Sequence, residues 1–362
     1  MSPFGAELRR LRAARGLSLR DLAQLAHYFR TVLWEWEQGI KIPPPEAVTL
    51  LDQALGADGA LAAAAIHLPG PNGATDRLAY VAGKPRSVDG AAVDALAGML
   101  ASMRRLEDAV GAAALIDPTA GQVKLVESLA DEARGPIRRR VVDLAGQWAQ
   151  FAGWLLATTG QPARARDWYA RTLEYATEAG SRDLVATALS MRGNLAWMAR
   201  RPGPVVGLSA AAAEGADSPG MRAMAVQQQA RGHAALGEAD DVARLFDQAE
   251  TAIAAAADRP DDQPPWIYFY SQGYLQMQRG LAYRLLGQTG PAIEALTAGL
   301  ASTGDELARA EFVAVYRLHL AELHHEAGNQ DLALELLDQV RRLAEATGSA
   351  RLAGAGQRLA AR

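Results

Sequence analysis

Apolar positions in the first third of the chain recur in short, sharply ended bursts. Phe4, Leu8 and Leu11 stand at i, i+4 and i+7, the spacing of one helical face, behind a Ser2-Pro3 start and ahead of Gly16. Ser18-Leu19-Arg20-Asp21 has the form of a capping box and predicts a second short helix with Leu22, Ala23 and Leu25 inward. After a break near His27, a third helix is expected over Thr31–Gln38, stopping at Gly39, with Leu33 and Trp36 on its core side. Pro43, Pro44 and Pro45 force a restart, so Glu46–Leu55 reads as a fourth helix closed by Gly56, and Leu61–Ile66 as a fifth. Residues 67–92 are rich in Gly and Pro and read as a linker. From residue 93 onward the apolar period lengthens into long amphipathic helices. Two are expected near 93–113 and 120–137, joining the domain to the linker. Helix pairs follow at 141–178, 182–215, 219–257, 266–303 and 305–346, with a capping helix after Arg351. The expected fold is all-α, with domains at 1–66 and 93–362.

A spacing recurs inside the paired region. Gly153, Gly160 and Ala165 are matched by Gly280, Gly287 and Ala292, and in part by Gly328 and Ala333; Gly237 and Ala243 miss by one position. These marks resemble tetratricopeptide repeats, in which the first Gly lets paired helices approach and the second makes the turn. Such pairs cannot bury their apolar faces alone and stack into a solenoid with a concave groove. The N-terminal pattern is that of a helix-turn-helix bundle. Leu17-Ser18-Leu19-Arg20-Asp21-Leu22-Ala23, followed by Leu33, Glu37 and Gly39, resembles the DNA-binding domain of phage-repressor-type (Xre) regulators. The order of that domain, a Gly/Pro linker, then VESLADEARGP, WAQFAGWL, DLVATALSMRGNLAW and PPWIYFY is similar to a group of actinobacterial regulators with tetratricopeptide-like repeats. The resemblance implies a cytoplasmic homodimer that controls transcription on double-stranded DNA. Helix 3 would enter the major groove with Arg30, Thr31, Trp34 and Glu35 at the base-reading positions, and Arg9, Arg12, Arg20 and Lys41 would meet phosphates. The groove would take a peptide, a small metabolite or a partner protein.

Composition narrows the chemistry. The chain has 362 residues, 77 of them Ala, which favours helix over strand. It has no Cys, which excludes disulfides, Cys-ligated zinc and a thiol nucleophile. No run of 18 apolar residues predicts a membrane span, and Arg9, Arg10, Arg12 and Arg15 interrupt any signal sequence. Gly83-Lys84 is no phosphate loop, since Leu78 and Pro85 stand where Gly and Ser/Thr belong, and residues 207–211 are not GxSxG. No catalytic set, cofactor or metal is expected, and the protein reads as a non-enzyme. His319, Glu322, His325 and Glu326 share a helix without HExxH spacing and read as ion-paired.

Charge complicates the DNA-binding reading. The net value is −4, yet residues 1–65 hold seven basic and seven acidic side chains, where a DNA-binding module normally has a basic footprint. Phe29 stands where a Ser commonly caps helix 3, Trp34 where a small or polar base-reader is usual, and Glu35 would repel phosphate though it can accept from cytosine. These departures motivate a second reading: a regulator-like protein with a degenerate DNA face that binds or converts a hydrophobic metabolite. For the groove, the candidates are Trp154, Arg192, Asn194, Gln228, Arg231, Tyr270, Gln272, Gln276 and Arg317, aromatic or polar residues of the first helix in each pair.

Overall fold

The computed structural model describes residues 3–41, 43, 45–57, 59–65, 72–304, 307–308, 310–347, 349 and 352–354. All regular structure among them is helical. Two compact units, Met1–Lys84 and Pro85–Arg362, divide the chain.

The first unit holds α1 (Pro3–Ala14), α2 (Leu19–Ala26), α3 (Arg30–Gln38), α4 (Pro45–Ala54), α5 (Ala60–Ala65) and α6 (Asn72–Gly83). The capping box forms as expected: the Asp21 amide donates to Ser18 Oγ at 3.2 Å and the Ser18 amide to Asp21 Oδ2 at 2.8 Å. His27, at φ 56°, ends α2 in the left-handed region and turns the chain towards α3. Phe4, Leu8, Leu22, Leu33, Trp36, Leu51 and Leu61 close the core. Gly5 is required where α1 meets the end of α3, because a Cβ there would stand 2.5 Å from the Glu37 carbonyl oxygen. Leu25 corrects the expected inward set: it is 51% exposed, because Leu22 and Ala26 at i and i+4 take the buried face. The stretch expected to be a linker contains α6, with Gly73 and Gly83 inside the helix. The Ser2 cap, Ile66 and residues 67–71 lie outside the described residues.

The second unit opens with α7 (Gly90–Val110) and α8 (Ile116–Glu132). Five helix pairs follow: α9 (Ile137–Thr158) with α10 (Pro162–Ala179), α11 (Arg182–Met198) with α12 (Pro202–Gly215), α13 (Pro219–Leu236) with α14 (Ala239–Ala257), α15 (Gln272–Leu285) with α16 (Thr289–Ala301), and α17 (Glu311–Glu326) with α18 (Gln330–Thr347). Each first helix packs on its own partner and on the first helix of the next pair, so α9, α11, α13, α15 and α17 form one continuous layer. The repeat glycines act as their spacing suggests. A Cβ on Gly153 would come within 2.5 Å of the Tyr169 ring, while Gly160, at φ 79°, makes the turn between α9 and α10.

Two departures shape the interior. The fourth pair begins at Gln272, not 266. Residues 260–271 instead run through two 3-10 turns, Pro260–Asp262 and Pro265–Ile267, because consecutive prolines 264 and 265 deny helix to what precedes them; Ser271 then caps α15. And α7 is more than a connection to the linker: it touches α9 in the first pair and α17 and α18 in the last. Of the expected capping helix only residues 352–354 are described, in helical conformation; Arg351 and residues beyond 354 lie outside the described residues.

Candidate functional site

The helix-turn-helix face is built on α3. Arg30, Thr31 and Trp34 are exposed on it, and Phe29 at its N-terminus is 81% exposed. Phe29 makes no capping bond, as its apolar ring requires. Glu35 is not a free carboxylate: Lys41 Nζ lies 2.8 Å from Glu35 Oε2, so two candidate DNA contacts neutralise each other. Arg9 and Arg20 are exposed. Arg12 corrects the sequence reading. Its Nε and Nη2 donate to the two oxygens of Glu37 at 2.6 and 3.0 Å, and its Nη1 donates to the Leu17 carbonyl at 2.8 Å. Glu37 is 2% exposed, so this guanidinium is a strut between α1 and α3 and not a phosphate ligand. The hydrogen bond to Glu37 raises the Arg12 pKa.

The second unit holds a partly open cavity of about 340 Å³ over the layer of first helices. Each of those helices contributes one stripe. From α9 come Gln150, Phe151, Trp154 and Thr158; from α11, Ser190, Met191, Asn194, Trp197 and Met198; from α13, Met224, Gln227, Gln228 and Arg231. From α15 come Tyr274, Gln278 and Leu281, and from α17 Glu311, Phe312, Val315, Tyr316 and His319. The 3-10 segment closes one side with Trp266, Ile267, Tyr268 and Phe269, and α7 another with Arg104, Glu107 and Asp108. Two bonds fix the segment: Trp266 Nε1 donates to Thr187 Oγ1 at 2.8 Å, and the Tyr268 hydroxyl donates to Asp108.

Four of the nine expected groove residues meet here: Trp154, Asn194, Gln228 and Arg231. The other five do not. Arg192 is one residue off the α11 stripe and lines a separate cavity with Arg166 and Arg201. Tyr270 sits in the core beside Tyr274, ring centroids 5.4 Å apart. Gln272 is exposed; Gln276, half a turn from the Tyr274 stripe, donates to Glu250 at 3.3 Å; Arg317 donates to the Ala308 carbonyl at 2.9 Å. Sequence reasoning missed Gln150, Gln227, Gln278, Tyr316 and the α7 residues. Gln150 and Gln227 carried a signal, since they lie within about one helical turn of Trp154 and Gln228; Gln278 has no such neighbour among the four. Arg104 carried none, because nothing in the sequence brings α7 to the groove.

The cavity's polar groups are mostly joined to one another. Gln227 Nε2 donates to Gln278 Oε1 at 2.9 Å, and Gln278 Nε2 donates to the hydroxyls of Tyr316 at 2.6 Å and Tyr274 at 3.0 Å. Ser190 Oγ donates to Gln228 Oε1 at 3.0 Å, and Gln228 Nε2 returns to the Ser190 carbonyl at 2.7 Å. Arg231 lies 4.5 Å from the Trp197 ring centre and donates to Asn194 Oδ1 at 3.1 Å, but its Nε has no hydrogen-bond partner among the described residues. Arg104 stacks on Trp266 at 6.0 Å, and its Nη2 likewise has no partner there. Burial pushes both guanidinium pKa values down, that of Arg104 to about 10. His319 at the rim is bonded to Arg284 and Glu322, so the expected ion pairing on α17 is centred on a guanidinium.

A helix-turn-helix domain model matches residues 3–65. No curated protein sequence matches the chain. Among solved structures, the chain is similar to Bacillus thuringiensis PlcR in complex with the peptide PapR7 and DNA, at 13% identity and a TM-score of 0.37, over 91% of this chain and 99% of that one. It is also similar to the apo form of the competence regulator ComR from Streptococcus vestibularis, at 11% identity and a TM-score of 0.34, over 89% of this chain and 98% of that one. No helix among the described residues is long and apolar enough to cross a membrane.

Proposed function

We propose that this chain is a transcriptional regulator whose first unit reads DNA through α3 and whose second unit senses a small ligand in the cavity. The observation that carries the reading is the pairing of a helix-turn-helix domain with a built cavity. Its walls come from all five first helices, α7 and the 3-10 segment, and two buried arginines line it. Ligand binding would act by favouring one of two arrangements of the regulator, as a homodimer on a two-fold operator, for which it has different affinity. Arg9, Arg20 and Arg30 remain for phosphates, and Thr31 and Trp34 for base edges.

The test is a gel shift of the full chain on DNA from upstream of its own gene, with a salt titration and an unrelated duplex as competitor. Sequence-selective binding is expected, with a log–log salt slope near about −3 per bound domain, one counterion per remaining arginine. No binding at low salt, or binding indifferent to sequence, would sink the DNA-reading half. The outward-facing Phe29 and Trp34 favour a second reading, in which the DNA face is degenerate and the cavity binds a hydrophobic metabolite on its own. Recovery of DNA binding on Phe29→Ser plus Trp34→Ser would show that only the reading face had been lost.

A further inference from the structure

Most polar groups of the cavity have partners; its two buried cations are only partly satisfied. Arg104 and Arg231 are 5% and 8% exposed, and each holds an N–H without a hydrogen-bond partner among the described residues. The groups that face them are uncharged: the Trp266 ring for Arg104 at 6.0 Å, and the Trp197 ring at 4.5 Å with the Asn194 amide for Arg231. Three carboxylates also line the cavity, and all are half-exposed. Asp108 accepts from the Tyr268 hydroxyl, Glu311 accepts from Ser349 Oγ at 2.7 Å, and Glu107 stands beside Asp108 on α7. None of them is paired with either arginine. A buried cation without an anion is a desolvation cost that ring faces and one amide hydrogen bond offset only in part.

We infer that the cavity takes a small acid: an apolar body lying against Trp154, Trp197 and Phe312, with an anionic group received by the buried guanidiniums of Arg104 and Arg231. This rests on the ligand-sensing half of the function proposed above. The apolar lining supplies burial and the arginines supply the charge-assisted donors that select the acid over its neutral analogue. A volume near 340 Å³ is room enough for a compact acid.

The test uses two probes with one body. 1-Anilinonaphthalene-8-sulfonate carries an anion, and N-phenyl-1-naphthylamine is the same skeleton without it. Both are titrated into the full chain without DNA, read by probe fluorescence and by quenching of the Trp154, Trp197 and Trp266 emission. The anion should bind at least about 10-fold tighter. Arg104→Gln or Arg231→Gln should bring the pair to parity, while Arg104→Lys retains a preference. If Arg104→Gln fails to fold, Arg231→Gln and Arg104→Lys decide. Equal affinities in the parent protein, or a preference untouched by both glutamine variants, overturn the acid and leave ligand sensing standing. Binding of neither probe overturns both. A second arm compares a free-acid apolar dipeptide with its C-terminal amide and with 1-naphthylacetate. Preference for the naphthylacetate identifies a free small acid, and preference for the dipeptide acid identifies a peptide C-terminus, either of which supports the inference.

Discussion

Arg12 in the first unit and Arg104 in the second are both cations withdrawn from water, and they are treated in opposite ways. Arg12 meets a carboxylate that is itself buried, in two parallel hydrogen bonds of 2.6 and 3.0 Å. Arg104 meets an indole face at 6.0 Å and a tyrosine, and has a nitrogen with no partner among the described residues. One cation is complete within the fold; the other is held at a cost. Charge that is complete holds a structure together, whereas charge left open in a cavity wall is a place for something that is not part of the chain.

The largest effect should come from breaking the complete pair. Arg12→Ala leaves Glu37 buried and alone, and should cost the first unit about 3–5 kcal/mol. Amide hydrogen exchange in α1 and α3 would quicken by about two to four orders of magnitude. A change below tenfold would mean that water replaces the guanidinium easily, and the strut would lose its meaning. The opposite sign is expected at Arg104. Arg104→Met keeps the stem's packing, removes an uncompensated charge and should stabilise the ligand-free protein by about 1–4 kcal/mol, seen as a higher Tm. Destabilisation of that size would make Arg104 a strut like Arg12 and erase the contrast.

The same contrast explains how much could be read in advance. Local chemistry was legible: the Ser18–Asp21 box, the stop at Gly39, the tight approach at Gly153 and the turn at Gly160 follow from neighbours in sequence. Four cavity residues were legible because they lie on first helices whose apolar period fixes the inward face. Arg192, Gln276 and Arg317 failed by a rotation of about 100–200° around the same helices, which composition does not fix. The pairing of Arg12 with Glu37, and the closure of the cavity by α7 and the 3-10 segment, were illegible. They join residues far apart in the chain, and only packing decides them.

Helix caps give a milder version of the comparison. Ser18 satisfies the start of α2, whereas Phe29 leaves the start of α3 open and its own ring in solvent. Phe29→Ser should stabilise the first unit by about 1 kcal/mol, measured by denaturant unfolding at constant m. No gain would show that the α3 amides are satisfied by water as well as by a hydroxyl.

Between the complete pair and the open one stands Arg284 on α15, bonded to Glu322 and beside Glu326 at 3.6 Å. Hydrogen bonding from His319, with Arg284 adding to it, pulls the Glu322 pKa down to about 2. A carboxylate whose folded pKa lies below its unfolded value contributes stability above the unfolded pKa and loses it as pH falls towards the folded one. Glu322→Gln should therefore cost about 0.5–1 kcal/mol at pH 7, since the group is half-buried and partly screened. The difference from the parent protein should shrink between pH 4.5 and 2. A cost that is the same at pH 7 and pH 3 would mean that Glu322 acts by packing. The ion pair with Arg284 would then add little to stability, as a partly exposed pair can.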